Sequence, residues 1–124
     1  MLLFIHPLIQ ATAILLAAYA FLTGLQRFRA LHLHQQTTFP WKRHVLIGRI
    51  TLAMILAGMI LGLAMVRFHW QKNLMTMGHG EMGLVLIPFL LFGIVSGLIL
   101  DSKGKGRKTL RLLHGINNTL VLLL

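Results

Sequence analysis

Three stretches of this chain run for roughly the ~20 residues that span a bilayer core with almost no charge. Residues 2–25 carry none, 45–66 carry only Arg49, and 82–100 carry none. Residues 112–124 are also uncharged. That run is short even when counted from Thr109, and the last helix is expected to be incomplete at Leu124. In lipid the backbone must satisfy its own hydrogen bonds, which helices do within one segment. The expectation is an all-α, integral membrane, up-down-up-down four-helix bundle. It forms a single transmembrane domain over residues 1–124, with helices near 2–25, 43–66, 79–100 and 109–124. Composition agrees: 11% of residues are charged, against ~25% in an ordinary soluble domain.

A net charge of +10 would suggest nucleic acid in a soluble chain. Here the basic residues collect in two loops. Residues 26–43 hold Arg27, Arg29, Lys42 and Arg43; residues 101–108 hold Lys103, Lys105, Arg107 and Lys108. The loop between them holds only Arg67 and Lys72. Basic loops stay in the cytoplasm, so both termini are expected outside it, the membrane being a bacterial inner membrane. No nucleic-acid partner is expected. The absence of cysteine excludes disulfides, thiolate-held iron–sulfur clusters and haem attached through C-x-x-C-H. The first run lacks a basic leader and is too long for a signal peptide.

An internal repeat is the most informative feature. The second span reads His44, Gly48, Gly58, Gly62, and the third repeats it 35 residues later as His79, Gly83, Gly93, Gly97. The first span keeps the spacing as His6, Gln10, Ala20, Gly24, and the fourth begins it with His114 and Asn118. At ~100° per residue these positions fall close to one line on a helix. Each helix therefore has one face with a histidine at its start and small residues towards its end.

Ionisable groups inside a span are rare and usually functional. Alternating helix direction puts His6 and His79 at the outer end and His44 and His114 at the cytoplasmic end. In a square bundle each pair is diagonal, roughly 13 Å apart for neighbours at 8–10 Å, a gap that two imidazoles and an iron fill. The bundle is thus expected to enclose haem, with all four histidines as iron ligands and no catalytic residue beyond them. Gly48, Gly62, Gly83 and Gly97 admit a porphyrin face or make small-residue helix contacts; their phase with the histidines favours the first. Arg43 and Arg111 lie beside His44 and His114 and suit haem propionates. Arg49 needs a partner inside its span, either a propionate or Asp101.

These pieces together resemble the cytochrome b561 and ferric reductase transmembrane superfamily in a compact four-helix form. The matching motifs are His6-Pro7-Leu8, Lys42-Arg43-His44, Gly78-His79 with Gly83, and Leu113-His114-Gly115. The resemblance implies two haem b groups, held by ligand pairs from helices one and three and helices two and four. It also implies transmembrane electron transfer, as the membrane subunit of a quinol- or ferric-reductase-type oxidoreductase. The expected partners are membrane lipid, quinol, and a second copy or a larger redox complex. Gln10 and Glu81, near the outer histidines, form the candidate quinol site, Glu81 being able to take up a proton. Met75 and Met77 are alternative ligands near His79. His32 and His34 read as a solvated loop pair. The rival reading is a non-redox membrane protein, a transporter or assembly subunit, whose histidines are structural.

Overall fold

The computed structural model describes residues 2–69, 78–102 and 107–124. They form four helices: α1 (Leu2–His32), α2 (Trp41–Phe68), α3 (His79–Ser102) and α4 (Lys108–Leu123). The first three are long and apolar enough to cross a membrane. Their starts follow from local chemistry. Pro40 stands before α2, where it discourages a helical residue ahead of it. Gly78, at φ +91°, turns the chain into α3 in a conformation that suits glycine.

The first helix runs seven residues past the boundary expected at residue 25. Hydropathy marks where lipid ends, whereas a helix ends where its backbone must turn. Residues 26–32 hold good helix formers and neither glycine nor proline. Arg29 and His32 lie in the last turn, where positive charge suits the helix dipole. The chain then turns through His34 at φ 53°. The Thr37 hydroxyl donates to the Gln26 carbonyl, 2.8 Å, and ties the connection back.

The helices stand in a ring. α1 packs against α2 and α3 against α4, while α2–α3 and α1–α4 contacts close the square. Among the described residues the diagonal pairs α1/α3 and α2/α4 have no backbone contact. Successive helices run antiparallel: His44 at the start of α2 meets residues 20–24 of α1, and His114 of α4 meets residues 96–97 of α3. Arg49 of α2 pairs with Asp101 of α3. Asp101 is one of the two partners expected for Arg49.

Each hairpin is keyed by an amide one turn beyond a histidine. Gln10 lies over Gly58 and donates to the Ile55 carbonyl, 3.3 Å. Asn118 lies over Gly93, while Asn117 donates to the Phe89 carbonyl, 2.9 Å. A methyl group at Gly58 would sit 2.7 Å from Gln10, and one at Gly93 would sit 2.6 Å from Asn118. Both glycines are there because the amide already occupies the space.

Little fills the centre. Ala13 and Leu90 are the buried apolar side chains among the described residues, and a cavity of about 1410 Å³ runs between the helices. Large apolar side chains point outward instead: Phe4 is 73% and Phe68 82% exposed. An outer surface of this kind suits lipid rather than water.

The keyed hairpins make a stability prediction. Gly58→Leu and Gly93→Leu should each cost about 1–3 kcal/mol by overpacking. Gly115→Ala, where a methyl meets nothing, should be neutral or gain up to about 1 kcal/mol. Unfolding of the purified protein in detergent measures all three, and equal behaviour would refute the keying.

Candidate functional site

Three of the four repeat histidines are seated alike, each on the neighbouring helix of its hairpin. His6 Nδ1 lies 2.6 Å from the Gly58 carbonyl. A carbonyl only accepts, so Nδ1 carries the proton and Nε2 keeps a free lone pair. The ring rests against Gly62, where a methyl would come within 3.0 Å of Cε1.

His44 rests against Gly24 in the same way, at 3.2 Å. Its Nδ1 is 3.1 Å from the Ala20 carbonyl and 2.9 Å from Thr23 Oγ1. The Thr23 hydroxyl donates its own proton to Ala20, 2.8 Å, which leaves its lone pairs to accept from Nδ1–H. His114 repeats the device on α3. A methyl at Gly97 would lie 3.3 Å from its Cε1, and Nδ1 is 2.7 Å from Ser96 Oγ. Ser96 donates to the Phe92 carbonyl, 2.6 Å, and so acts as acceptor towards the imidazole. All three rings hold the Nδ1–H tautomer. A metal-ligating histidine needs one nitrogen tied to the protein and the other turned to the metal. At His114 the Asn118 amide nitrogen lies 3.2 Å from each ring nitrogen and, with Nδ1 protonated, donates to Nε2, a bond that ligation would have to displace.

The 35-residue repeat thereby acquires a structural meaning. A histidine at the start of one helix meets the residues 14 to 18 positions into the same pattern on its antiparallel neighbour. Gly62 and Gly97, expected against a porphyrin, press on imidazoles instead. Gly48 and Gly83 line the cavity and a methyl at either meets nothing within 4 Å. Of the four glycines expected at the site, these two leave open space.

His79 opens α3 and is exposed. Its ring centre lies 6.0 Å from that of His6, with the planes 75° apart. Two imidazoles sharing a metal at ~2 Å from each nitrogen have ring centres roughly 6 Å apart, so the spacing fits one shared ion. His44 and His114 sit at the other end of the bundle. All four histidines line the one cavity, whose volume exceeds the ~300–1,000 Å³ of a typical single-ligand pocket. The outer pair therefore has the spacing, and the cavity the room, that a group held between two imidazoles would need.

The other expected site residues divide. Arg111 lines the cavity. Arg43 is exposed and borders a separate surface hollow with Pro40, Trp41 and Lys42, because the residue before His44 is turned ~100° around the helix. Gln10 lines the cavity, but its amide is engaged with α2. Glu81 is exposed and does not line the cavity; two residues past His79 lies ~200° around α3. His32 stacks on Phe28, ring centres 4.9 Å apart, and His34 is exposed. Lys72, Met75 and Met77 lie outside the described residues.

Thr23 and Ser96 were not singled out by the sequence reading, although a signal for them exists. Both directly precede the glycine that receives an imidazole, as Thr23-Gly24 and Ser96-Gly97. The corresponding residue in α2 is Leu61, and there His6 bonds to a carbonyl directly.

The ring hydrogen bonds can be checked without any cofactor. Histidine side-chain ¹⁵N NMR of the haem-free protein should show His6, His44 and His114 as Nδ1–H tautomers at neutral pH. An Nε2–H majority at any of them would contradict the seating described.

No protein-family profile matches this sequence, and no curated protein and no solved structure matches it.

Proposed function

We propose that the chain is a membrane cytochrome that holds two b-type haems, one between His6 and His79 and one between His44 and His114, and passes electrons across the bilayer. The observation that carries this reading is the hollow bundle with a histidine pair at each end. A four-helix bundle ordinarily closes on interdigitated side chains. This one leaves about 1410 Å³ between its helices, lined by the four histidines and glycines among larger apolar side chains.

Haem, when bound, supplies one-electron chemistry at its iron. The chain's residues do the rest. His6, His44 and His114 are held in the ligating tautomer by their neighbours. Gly48 and Gly83 leave room one turn beyond His44 and His79, and Arg111 offers a cation at the cavity wall. The two ends lie about 27 Å apart along α2, from His44 to Gly62 at 1.5 Å per residue, close to the thickness of the bilayer core. Exposed Glu81, two residues past His79, can receive a proton where a lipid-soluble quinol gives up electrons. Such a quinol, a second copy of the chain or a larger redox complex is the proposed partner.

One observation favours a rival. Imidazoles bonded to a neighbouring helix also serve as structural glue in membrane proteins, and a non-redox transporter or assembly subunit would use them so. The histidine seats serve that role within each hairpin, but glue does not by itself account for the cavity that all four histidines line.

A pyridine haemochrome assay on pure protein separates the two readings. Two haems per chain are expected; none would overturn the proposal, and one would confine it to a single histidine pair. His6→Ala and His79→Ala should alter the same haem, and His44→Ala and His114→Ala the other. Each opens one axial position and so gains carbon monoxide binding. A His6→Ala spectrum matching that of His44→Ala would break the pairing.

Orientation is tested separately. Cysteines placed at Arg29 and Lys105 should resist an impermeant reagent in intact cells, while one at Asn73 reacts. The reverse pattern would invert the direction of the path.

A further inference from the structure

The seats of the four histidines are not equivalent, and the difference follows the bundle's two ends. At the cytoplasmic end each imidazole meets a hydroxyl, and His44 Nδ1 also lies 3.1 Å from the Ala20 carbonyl. His44 meets Thr23 at 2.9 Å and His114 meets Ser96 at 2.7 Å, each hydroxyl passing its own proton to a carbonyl of its helix. Thr23 is 5% and Ser96 2% exposed, so neither hydroxyl has water as an alternative partner. At the outer end His6 bonds straight to the Gly58 carbonyl at 2.6 Å, with Leu61 standing where the hydroxyl would be.

We propose that Thr23 and Ser96 are paired positioning residues for the cytoplasmic haem, and that they set its reduction potential apart from that of the outer haem. The inference rests on the di-haem reading and adds to it a role for two residues outside the ligand set. The chemistry runs through the axial ligand. An acceptor at Nδ1–H pulls that proton and makes Nε2 a stronger donor to iron, which favours the oxidised metal. A hydroxyl already committed to a carbonyl is a good acceptor but a movable one, since its Oγ turns about χ1. A backbone carbonyl inside a helix does not turn. Removing Ser96 Oγ takes away the acceptor of the His114 Nδ1–H, and removing Thr23 Oγ leaves His44 with the longer contact to the Ala20 carbonyl, 3.1 Å. The cytoplasmic haem therefore becomes easier to reduce, and more so in Ser96→Ala. The outer haem, whose seat contains no hydroxyl, is untouched.

The repeat supports a common purpose for the two residues. Thr23 and Ser96 stand 17 positions into the same pattern on α1 and α3, the two helices that face each other across the cavity. The two hydroxyls therefore reach His44 and His114, the two residues that would hold the cytoplasmic haem, from helices on opposite sides of the cavity.

The test uses the full chain with its haem. Spectroelectrochemical titration of Ser96→Ala and Thr23→Ala should raise the potential of the same haem, the one altered by His114→Ala, and leave the other in place. Ser96→Thr and Thr23→Ser, which keep the hydroxyl, should restore the original values. Haem at that position should also be held roughly ten- to a hundred-fold more weakly in the alanine variants. In the haem-free Ser96→Ala protein, ¹⁵N NMR should show His114 losing its pure Nδ1–H state. Haem present with unchanged potentials in both alanine variants would overturn this proposal alone, as would a shift in the outer haem. A wild-type chain without haem would overturn the di-haem reading along with it.

Discussion

An imidazole pressed into a glycine notch, with its Nδ1 proton given to the neighbouring helix, is the contact on which the bundle is organised. It sets the register of each hairpin. His44 cannot reach the Ala20 carbonyl and Gly24 unless α1 and α2 lie antiparallel with those residues level, and that same register brings His6 to Gly58 and Gly62. The interaction also repays its own desolvation. A buried polar ring nitrogen without a partner costs free energy, and here the partner lies on another helix, so satisfying the ring holds two helices together. In a lipid setting, where apolar side chains gain little by leaving lipid for protein, polar contacts and close small-residue packing are the main sources of helix association. Gln10 over Gly58 and Asn118 over Gly93 add a second polar and close-packed key just along from each seat.

The same economy explains the hollow centre. Small residues allow the helices to approach within hairpins, while the apolar side chains that line the middle of the square stop short of meeting across it. Leu90 and Ala13 cannot fill a volume of this size. A chain built so draws its cohesion from pairwise hairpin contacts and from whatever occupies the cavity. In the reading proposed above, haem is part of the core, and binding it contributes to folding as a ligand that binds only the native state does.

Two nearly equivalent ends with different seats are useful in an electron path. In the reading proposed above, two metals held alike would have like surroundings at their ligands, and the differing seats would set them apart. The hydroxyl seats of Thr23 and Ser96 and the carbonyl seat of His6 differ by one residue type at one position of the repeat, a small change at a buried place where hydrogen bonds are electrostatically strong.

Much of this arrangement was determined by the sequence alone. Uncharged runs of bilayer length require helices, because no other segment can satisfy its own backbone in lipid. The 35-residue repeat places histidines and glycines on one face because helical periodicity is a local property of the chain. Which faces meet is not local, and there the tertiary structure decided. Gly62 and Gly97 look the same in sequence as Gly48 and Gly83, yet the first two carry imidazoles and the second two face open space, a distinction that depends on the neighbouring helix. Thr23 and Ser96 are unremarkable hydroxyls until antiparallel packing brings them to Nδ1. Arg43 adjoins His44 in sequence and Arg111 stands three residues from His114, but only Arg111 reaches the cavity, because helix rotation places them on different sides of the wall. The long extension of α1 past residue 25 likewise escaped a reading based on hydropathy, since charge ends a membrane span without ending a helix.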